Sequence, residues 1–169
     1  MKRIILLLTI FTFSVTIAQN SYWEKRIEFN SLEIIGKCIA NEKDLPNTTV
    51  KIYENDTLVY SFKTPYNKDF SIHLPLNTNI LLVFEKKGFV TKKVAIDTHT
   101  KYPEDNFNAI AMDIEMLPFK KNVDYSALDK PVTIIKYNLN TYNFEFDKEY
   151  SAKMLDEQDK ILSQMYVLK

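Results

Sequence analysis

The chain has 169 residues, of which 46% are hydrophobic and 26% are charged, a composition that predicts one folded domain with extensions and excludes a disordered chain. Basic and acidic residues number 22 each, so no net field steers the chain to phosphate, and nucleic acid is excluded as a partner. Cys38 is the one cysteine, which rules out an intrachain disulfide and a cysteine-rich zinc site.

The first 18 residues have the order of a secretory signal peptide. Lys2 and Arg3 precede an apolar run from Ile4 to Val15, and the small residues Thr16 and Ala18 follow it. The alternative is a membrane anchor, but the run is short for a hydrocarbon layer of about 30 Å. The residue directly after the cleavage point is Gln19 and not cysteine, so a lipoprotein anchor is excluded. We predict cleavage after Ala18 and no transmembrane segment in the mature chain.

Residues 19–30 form a polar and aromatic lead-in to the domain. Trp23, Ile27 and Phe29 are candidates to pack against the strands that follow. The alternative is a mobile terminus, and the sequence favours neither interpretation over the other.

Seven short segments with alternating apolar residues predict β-strands between residues 32 and 117. Turn-forming clusters separate them at spacings of about 8–12 residues, which is typical of a β-sandwich. We expect the run at 80–85 to be the most buried strand, Gly88 to have a positive φ, and Cys38 to be a buried, inert thiol. Lys92 and Lys93 are predicted to be exposed. The predicted strands are 32–40, 49–54, 57–63, 70–74, 80–85, 89–96 and 109–117.

The last 51 residues, 119–169, predict a C-terminal extension made of a loop, a hairpin and a helix. The hairpin strands are expected at 132–137 and 142–146. An amphipathic helix is expected over 147–168, with Asp147 as its N-cap. Its apolar stripe consists of Tyr150, Met154, Ile161, Met165 and Leu168, widened by Leu155 and Leu162.

Three motifs resemble those of carboxypeptidase regulatory-like domains. Gly36-Lys37 followed by LPNTTVKIY at 45–53 is similar to their G-x-V and L-P-G-A-x-V opening. DFSI at 69–72 resembles their G-x-F-x-I strand, and FEKKGFV at 84–90 resembles their F-x-K-x-G-Y turn. Asn47 and Asp69 replace two family glycines, and both residue types tolerate left-handed backbone.

This resemblance implies a seven-stranded transthyretin-like (prealbumin-like) sandwich over residues 31–118, used as an accessory module. The C-terminal extension resembles those of small exported envelope proteins of Gram-negative bacteria. The resemblance implies architecture and compartment and names no activity.

Catalytic and metal chemistry find little support in the residues. His73 and His99 are the two histidines, one on an alternating strand and one in a polar loop, and no Gly-x-Ser-x-Gly elbow exists. Asp97, His99, Glu104 and Asp105 are the one candidate set of metal ligands, and a solvated acidic loop is the favoured alternative. We therefore predict a protein that is not an enzyme and that has no cofactor.

Two candidate sites remain. Met154, Ile161, Met165 and Tyr166 on the C-terminal helix are candidate partner-binding residues, with packing of the helix on the sandwich or hairpin as the favoured alternative. Thr57, in the turn motif Asp56-Thr57-Leu58, matches a bacterial O-glycosylation acceptor pattern.

The sequence as a whole predicts a mainly β module, exported to the periplasm or associated with the outer membrane and at most peripheral to the membrane. Its expected function is non-catalytic protein–protein binding or assembly with an envelope protein. The alternative is a periplasmic protein that binds carbohydrate or peptidoglycan fragments, since aromatic rings stack on sugars. The aromatic residues concerned are Tyr137, Tyr142, Phe144 and Phe146.

Overall fold

The structure, a computed structural model, describes residues 31–103 and 107–167 and is mainly β. The predicted signal peptide and lead-in lie outside the described residues. Within them, the helix α1 spans Lys148–Val167, and a short 3₁₀ helix spans Ser126–Asp129. The described strands are β1 (Ser31–Ala40), β2 (Lys43–Asp44), β3 (Thr49–Glu54), β4 (Thr57–Lys63), β5 (Phe70–Pro75), β6 (Asn79–Glu85), β7 (Lys92–Asp97), β8 (Ile110–Glu115), β9 (Thr133–Asn138) and β10 (Asn143–Phe146).

The strands form two sheets in a sandwich-like arrangement. In the smaller sheet, β1 pairs antiparallel with β2 and β5 and parallel with β8. Gly36 is opposite both Phe70 of β5 and Met112 of β8, so β5 and β8 lie on opposite sides of β1. Among the described residues β8 is an outer strand of this sheet. The larger sheet has the order β10-β9-β7-β6-β3-β4. The predicted hairpin therefore adds two strands to this sheet, through a parallel pairing of β9 with β7.

The core lies between the two sheets because the apolar residues alternate along the strands. β1 has buried residues at alternate positions from Leu32 to Cys38, and β8 has them at Ile110, Met112 and Ile114. β6 has a continuous buried run from Leu82 to Phe84, as its apolar sequence predicts. The Cys38 thiol is buried, as predicted, and burial raises its pKa to about 11.

The turns explain how a chain with two glycines makes so many strands. Gly88 has φ = 85°, as predicted, and Asn47 has φ = 57° at a position where the resembled family has glycine. Asn55 and Asp56 have φ values of 45° and 65°, which is the left-handed pair that a tight two-residue hairpin requires. Asparagine and aspartate tolerate this region because of their short polar side chains.

The exposure prediction for Lys92 was wrong. Lys92 is 3% exposed, whereas the sequence interpretation had it exposed. The strand begins at Lys92 and not at residue 89, and Lys92 is in phase with the buried Val94 and Ile96. The inward orientation of Lys92 therefore follows from its position in the alternating pattern of β7 and not from the charge of its side chain.

Candidate functional site

The C-terminal helix packs on its own chain. Met154, Ile161 and Met165 are between 3 and 6% exposed and form a second apolar cluster with Leu117 and Leu128. These three predicted partner-binding residues are thus not on the surface, and the packing alternative describes them. Tyr166 is 68% exposed, and its role in partner binding stays a prediction.

Several polar contacts hold the helix in this position. The Asp147 carboxylate accepts a hydrogen bond from the N–H of Tyr150 at 3.1 Å, which confirms the predicted N-cap. The Tyr150 hydroxyl donates to the carbonyl oxygen of Pro131 at 2.8 Å, and the Lys120 ammonium donates to that of Met165 at 2.7 Å. Both ends of the helix are therefore tied to the rest of the chain.

Met154 and Leu155 are adjacent in the helix, and substitutions at these two positions compare a buried side chain with an exposed one. We expect Met154→Ala to lower the free energy of unfolding by about 2 kcal/mol, because it removes a buried side chain and leaves a cavity. Leu155 is 58% exposed, so Leu155→Ala should change it by less than about 0.5 kcal/mol. Urea titrations of both variants test this, and equal effects would mean that the helix does not pack as described.

The edge strand β8 has an unpaired side. Among the described residues it pairs with β1 alone, so the N–H and C=O groups on its other side have no partner strand. Such an edge is a template for pairing with another extended segment. No helix in the described part of the chain is long and apolar enough to cross a membrane.

An open groove of about 570 Å³ borders this edge. Met112 and Ile114 of β8 form one wall, and the first three turns of α1 form the other. The exposed Leu155 lies at the rim of the groove, and Ser151 is held to β9 by a 2.6 Å hydrogen bond between its hydroxyl and that of Thr133. The other lining residues are Lys92, Asp113, Glu115, Val132, Phe146, Lys148 and Gln158.

Lys92 is the most unusual residue of this groove. Its ammonium donates to the side-chain oxygen of Gln158, a neutral group. In the described residues, no carboxylate oxygen lies within 4.0 Å of it. Burial lowers the pKa of Lys92 to about 8, and the more distant Glu115 raises it in part. A buried cation with one neutral partner thus faces an open groove.

The two histidines lie on separate surfaces. The Nδ1 of His73 is 3.1 Å from the Ser31 hydroxyl, and its Nε2 is 4.0 Å from the Glu33 carboxylate. These side chains are on the outer face of the smaller sheet, and His73 is half exposed. His99 contacts Asp97 at 2.6 Å, also in an exposed position. Neither histidine lies in a water-excluding cleft of the kind that nucleophilic catalysis uses.

The candidate metal ligands are only partly described. Asp97 and His99 are adjacent in space, while Glu104 and Asp105 lie outside the described residues. Within the described ranges, no group of three or more histidine, cysteine or acidic side chains is placed to hold a metal ion. The described part therefore offers a two-residue contact and no metal centre.

The predicted aromatic cluster is divided between core and surface. Phe144 is buried, and Tyr137 packs on it at 5.4 Å between ring centroids. Tyr142 and Tyr102 are exposed and contact each other at 5.7 Å. A groove of about 400 Å³ next to Tyr137 is also lined by polar side chains, namely Asn77, Asp97, His99, Thr100, Lys101 and Lys136.

Thr57 lies where the sequence predicted it, exposed at the start of β4 directly after the Asn55-Asp56 turn. β4 is an outer strand of the larger sheet among the described residues. Whether it is glycosylated stays a prediction.

No protein-family model and no curated protein matches this chain. Solved structures that share partial similarity include "Crystal Structure of S.CueP" (16% identity, TM-score 0.38, 53% of this chain and 64% of that chain). A second is a C-terminal fragment of the pilus adhesin SpaC from Lactobacillus rhamnosus GG (9% identity, TM-score 0.37, 53% of this chain and 46% of that chain). A third is 3-chlorocatechol 1,2-dioxygenase from Rhodococcus opacus 1CP (10% identity, TM-score 0.37, 70% of this chain and 57% of that chain). The chain spans less than two thirds of each of these chains, and likenesses this low support no functional argument.

Sequence reasoning did not find the groove. Its lining residues come from β7, β8, β9 and α1, and the span from Lys92 to Gln158 is too long for a local sequence pattern to connect. One signal was available: Lys92 occupies an inward position of an alternating strand. A lysine in phase with buried residues indicates either a paired charge or a functional cation.

Proposed function

We propose that this chain is a non-catalytic, exported module for protein–protein binding or assembly in the bacterial cell envelope, and that its partner contributes an extended segment to the free edge of β8. The observation that carries the proposal is that this unpaired edge borders an open groove. Strand addition at a sheet edge is a common mode of peptide recognition, in which main-chain hydrogen bonds give affinity and alternate side chains give specificity.

The groove has the properties that this mode requires. β8 is six residues long, enough for a partner strand of about 20 Å. Apolar contacts to inward-pointing side chains of an added strand are available from three lining residues of the groove, Met112, Phe146 and Leu155. The other wall is a helix that is capped and tied to the chain, so the groove is preformed and a partner orders little on binding.

Export and family membership are part of the proposal and rest on the sequence. The first 18 residues have the pattern of a signal peptide, so the mature protein would begin at Gln19 in the periplasm or at the outer membrane. A transthyretin-like, carboxypeptidase regulatory-like domain is supported by the motif resemblance together with the left-handed Asn47 and Gly88 at their turns. Such domains serve as accessory modules.

Site-specific photo-crosslinking tests the proposal. A photoreactive residue in place of Leu155, at the rim of the groove, should crosslink in the native envelope fraction to one protein through an extended segment. The matched control replaces Leu58, which is also exposed but lies on β4 at the far edge of the larger sheet. We expect crosslinking from position 155 only.

Hydrogen exchange then locates the contact. Adding the crosslinked segment as a peptide should slow exchange of the β8 amides and leave those of β4 unchanged. Equal crosslinking from positions 155 and 58, or binding without protection of β8, would contradict strand addition at this edge.

A second function, carbohydrate binding, is favoured by one observation. The exposed ring of Tyr102 contacts those of Tyr142 and Tyr137, and Tyr137 lines the polar groove at His99. The Tyr137 hydroxyl is buried with no hydrogen-bond partner among the described residues. Sugars combine stacking on rings with hydrogen bonds to polar groups. This surface is separate from the β8 edge.

A ligand panel tests this second function. If it is correct, glycan or peptidoglycan fragments should raise the melting temperature of the mature chain, and Tyr142→Ala should abolish the shift. Lys63→Ala, an exposed change on β4, serves as the control and should leave the shift intact. Absence of a shift across a broad panel would reject carbohydrate binding.

A further inference from the structure

We infer that the segment that adds to β8 presents a carboxylate to the Lys92 ammonium. This inference rests on the proposed function and specifies the chemistry of the partner: an extended peptide with apolar residues at alternate positions and an aspartate or glutamate among them. The groove, the free edge and the position of Lys92 carry it together.

The first step concerns hydrogen bonding. A lysine ammonium has three N–H donors, and one of those of Lys92 is directed to Gln158. Lys92 is 3% exposed where it lines the groove, so water solvates the other donors poorly, and a buried charge without an anionic partner is costly. A carboxylate arriving in the groove would accept these donors and form a charge-assisted bond.

The second step concerns the other charges of the groove. Asp113 and Glu115 also line the groove, but they are exposed and alternate with the buried Met112 and Ile114. Glu115 raises the pKa of Lys92 without an ion-pair contact to it. Lys148, at the start of α1, lines the groove with Lys92. Of these four charged residues Lys92 is the buried one, and an acidic residue of the partner that reaches it is complementary to it.

The third step concerns geometry. Side chains of a strand added to β8 alternate between the outer face of the smaller sheet and the space between the two sheets, with one inward residue every two positions. Lys92 lies on the inner face of the opposite sheet, in phase with Val94 and Ile96. It therefore faces an inward position of the added strand, and a single acidic residue among apolar ones at inward positions would meet it.

Selection from a random library of eight-residue peptides, displayed on phage, tests this inference on the mature chain. Wild-type protein should enrich peptides with alternating apolar residues and an aspartate or glutamate at one fixed position. A synthetic peptide of that sequence should bind at least tenfold more tightly than its version with Gln or Asn at that position. Lys92→Met should bind the two versions equally, while Lys148→Met should keep the preference.

Each contrary result has a distinct meaning. Peptides that protect β8 from exchange but carry no fixed acid, or an acid preference that survives Lys92→Met, overturn this inference and leave strand addition in place. A library that yields no binder overturns the proposed function and the inference with it. Slow exchange of the β8 amides in the mature chain alone would mean that its own residues 19–30 or a second copy fills the groove, which overturns the partner proposal.

Discussion

Replacing Lys92 by methionine is expected to stabilise the protein at pH 7, by about 3 kcal/mol. Methionine has a similar length and volume and lacks the charge, so the substitution removes the cost of burying an ammonium group and keeps the packing. The interval between the ordinary pKa of 10.5 and the value of about 8 in the folded protein corresponds to about 3 kcal/mol. Urea titration of both proteins at pH 7 measures the difference.

The stability that Lys92→Met gains over the wild type should depend on pH between about pH 8 and 10.5. Below pH 8 the lysine is protonated in both states, so the wild-type protein bears the full cost of the buried charge. Between about pH 8 and 10.5 the unfolded chain binds more protons than the folded one, and the free energy of unfolding of the wild type rises with pH. The advantage of Lys92→Met should therefore shrink across this window.

A comparison of variants isolates this effect. Asp113, Glu115 and Lys148 line the groove with Lys92 and are unchanged in the variant. The attraction of Glu115 for Lys92 is lost in Lys92→Met, and the pKa of about 8 already includes it. Lys87→Met is the control because Lys87 is exposed in a turn, and it should show neither the gain nor the pH dependence. A Lys92→Met protein no more stable than wild type, or a gain that stays constant to pH 10.5, would refute the buried, charged lysine.

Placing one methyl group on Gly36 is expected to cost about 3 kcal/mol or more. Gly36 is opposite Phe70 of β5 and Met112 of β8, so it is enclosed on both sides. A Cβ atom there would overlap the carbonyl oxygen of Met112 and lie 2.9 Å from its carbonyl carbon. These atoms are backbone, so β1 and β8 would have to separate.

The other glycine of the chain provides the matched control. A Cβ on Gly88 would meet no atom within 4 Å, and Gly88→Ala is strained only by its φ of 85°. We expect it to cost about 1 kcal/mol. Thermal unfolding and hydrogen exchange of the β8 amides are measured on both variants. Gly36→Ala should also speed the exchange of the β8 amides. If the two substitutions cost the same, β1 and β8 do not approach as closely as described.

The candidate site shows where inference from sequence reaches its limit. Met154, Ile161 and Met165 of the predicted helix stripe lie on one buried side, and Leu168 lies outside the described residues. The same pattern could not tell whether that side meets a partner or the chain itself, because an amphipathic helix buries its apolar side in both cases. Leu155 was assigned to the stripe and is exposed, since it lies at the margin of the apolar side.

The sequence by itself determined the strands and their turns. Alternating apolar residues specify which side of a strand is buried, and Gly88 and the Asn55-Asp56 pair specify where the chain reverses, because these are local properties of the backbone. Only the tertiary structure decided the parallel pairing of β9 with β7, the free edge of β8 and the groove beside it. These depend on which distant segments pack together, and local periodicity carries no information about that choice.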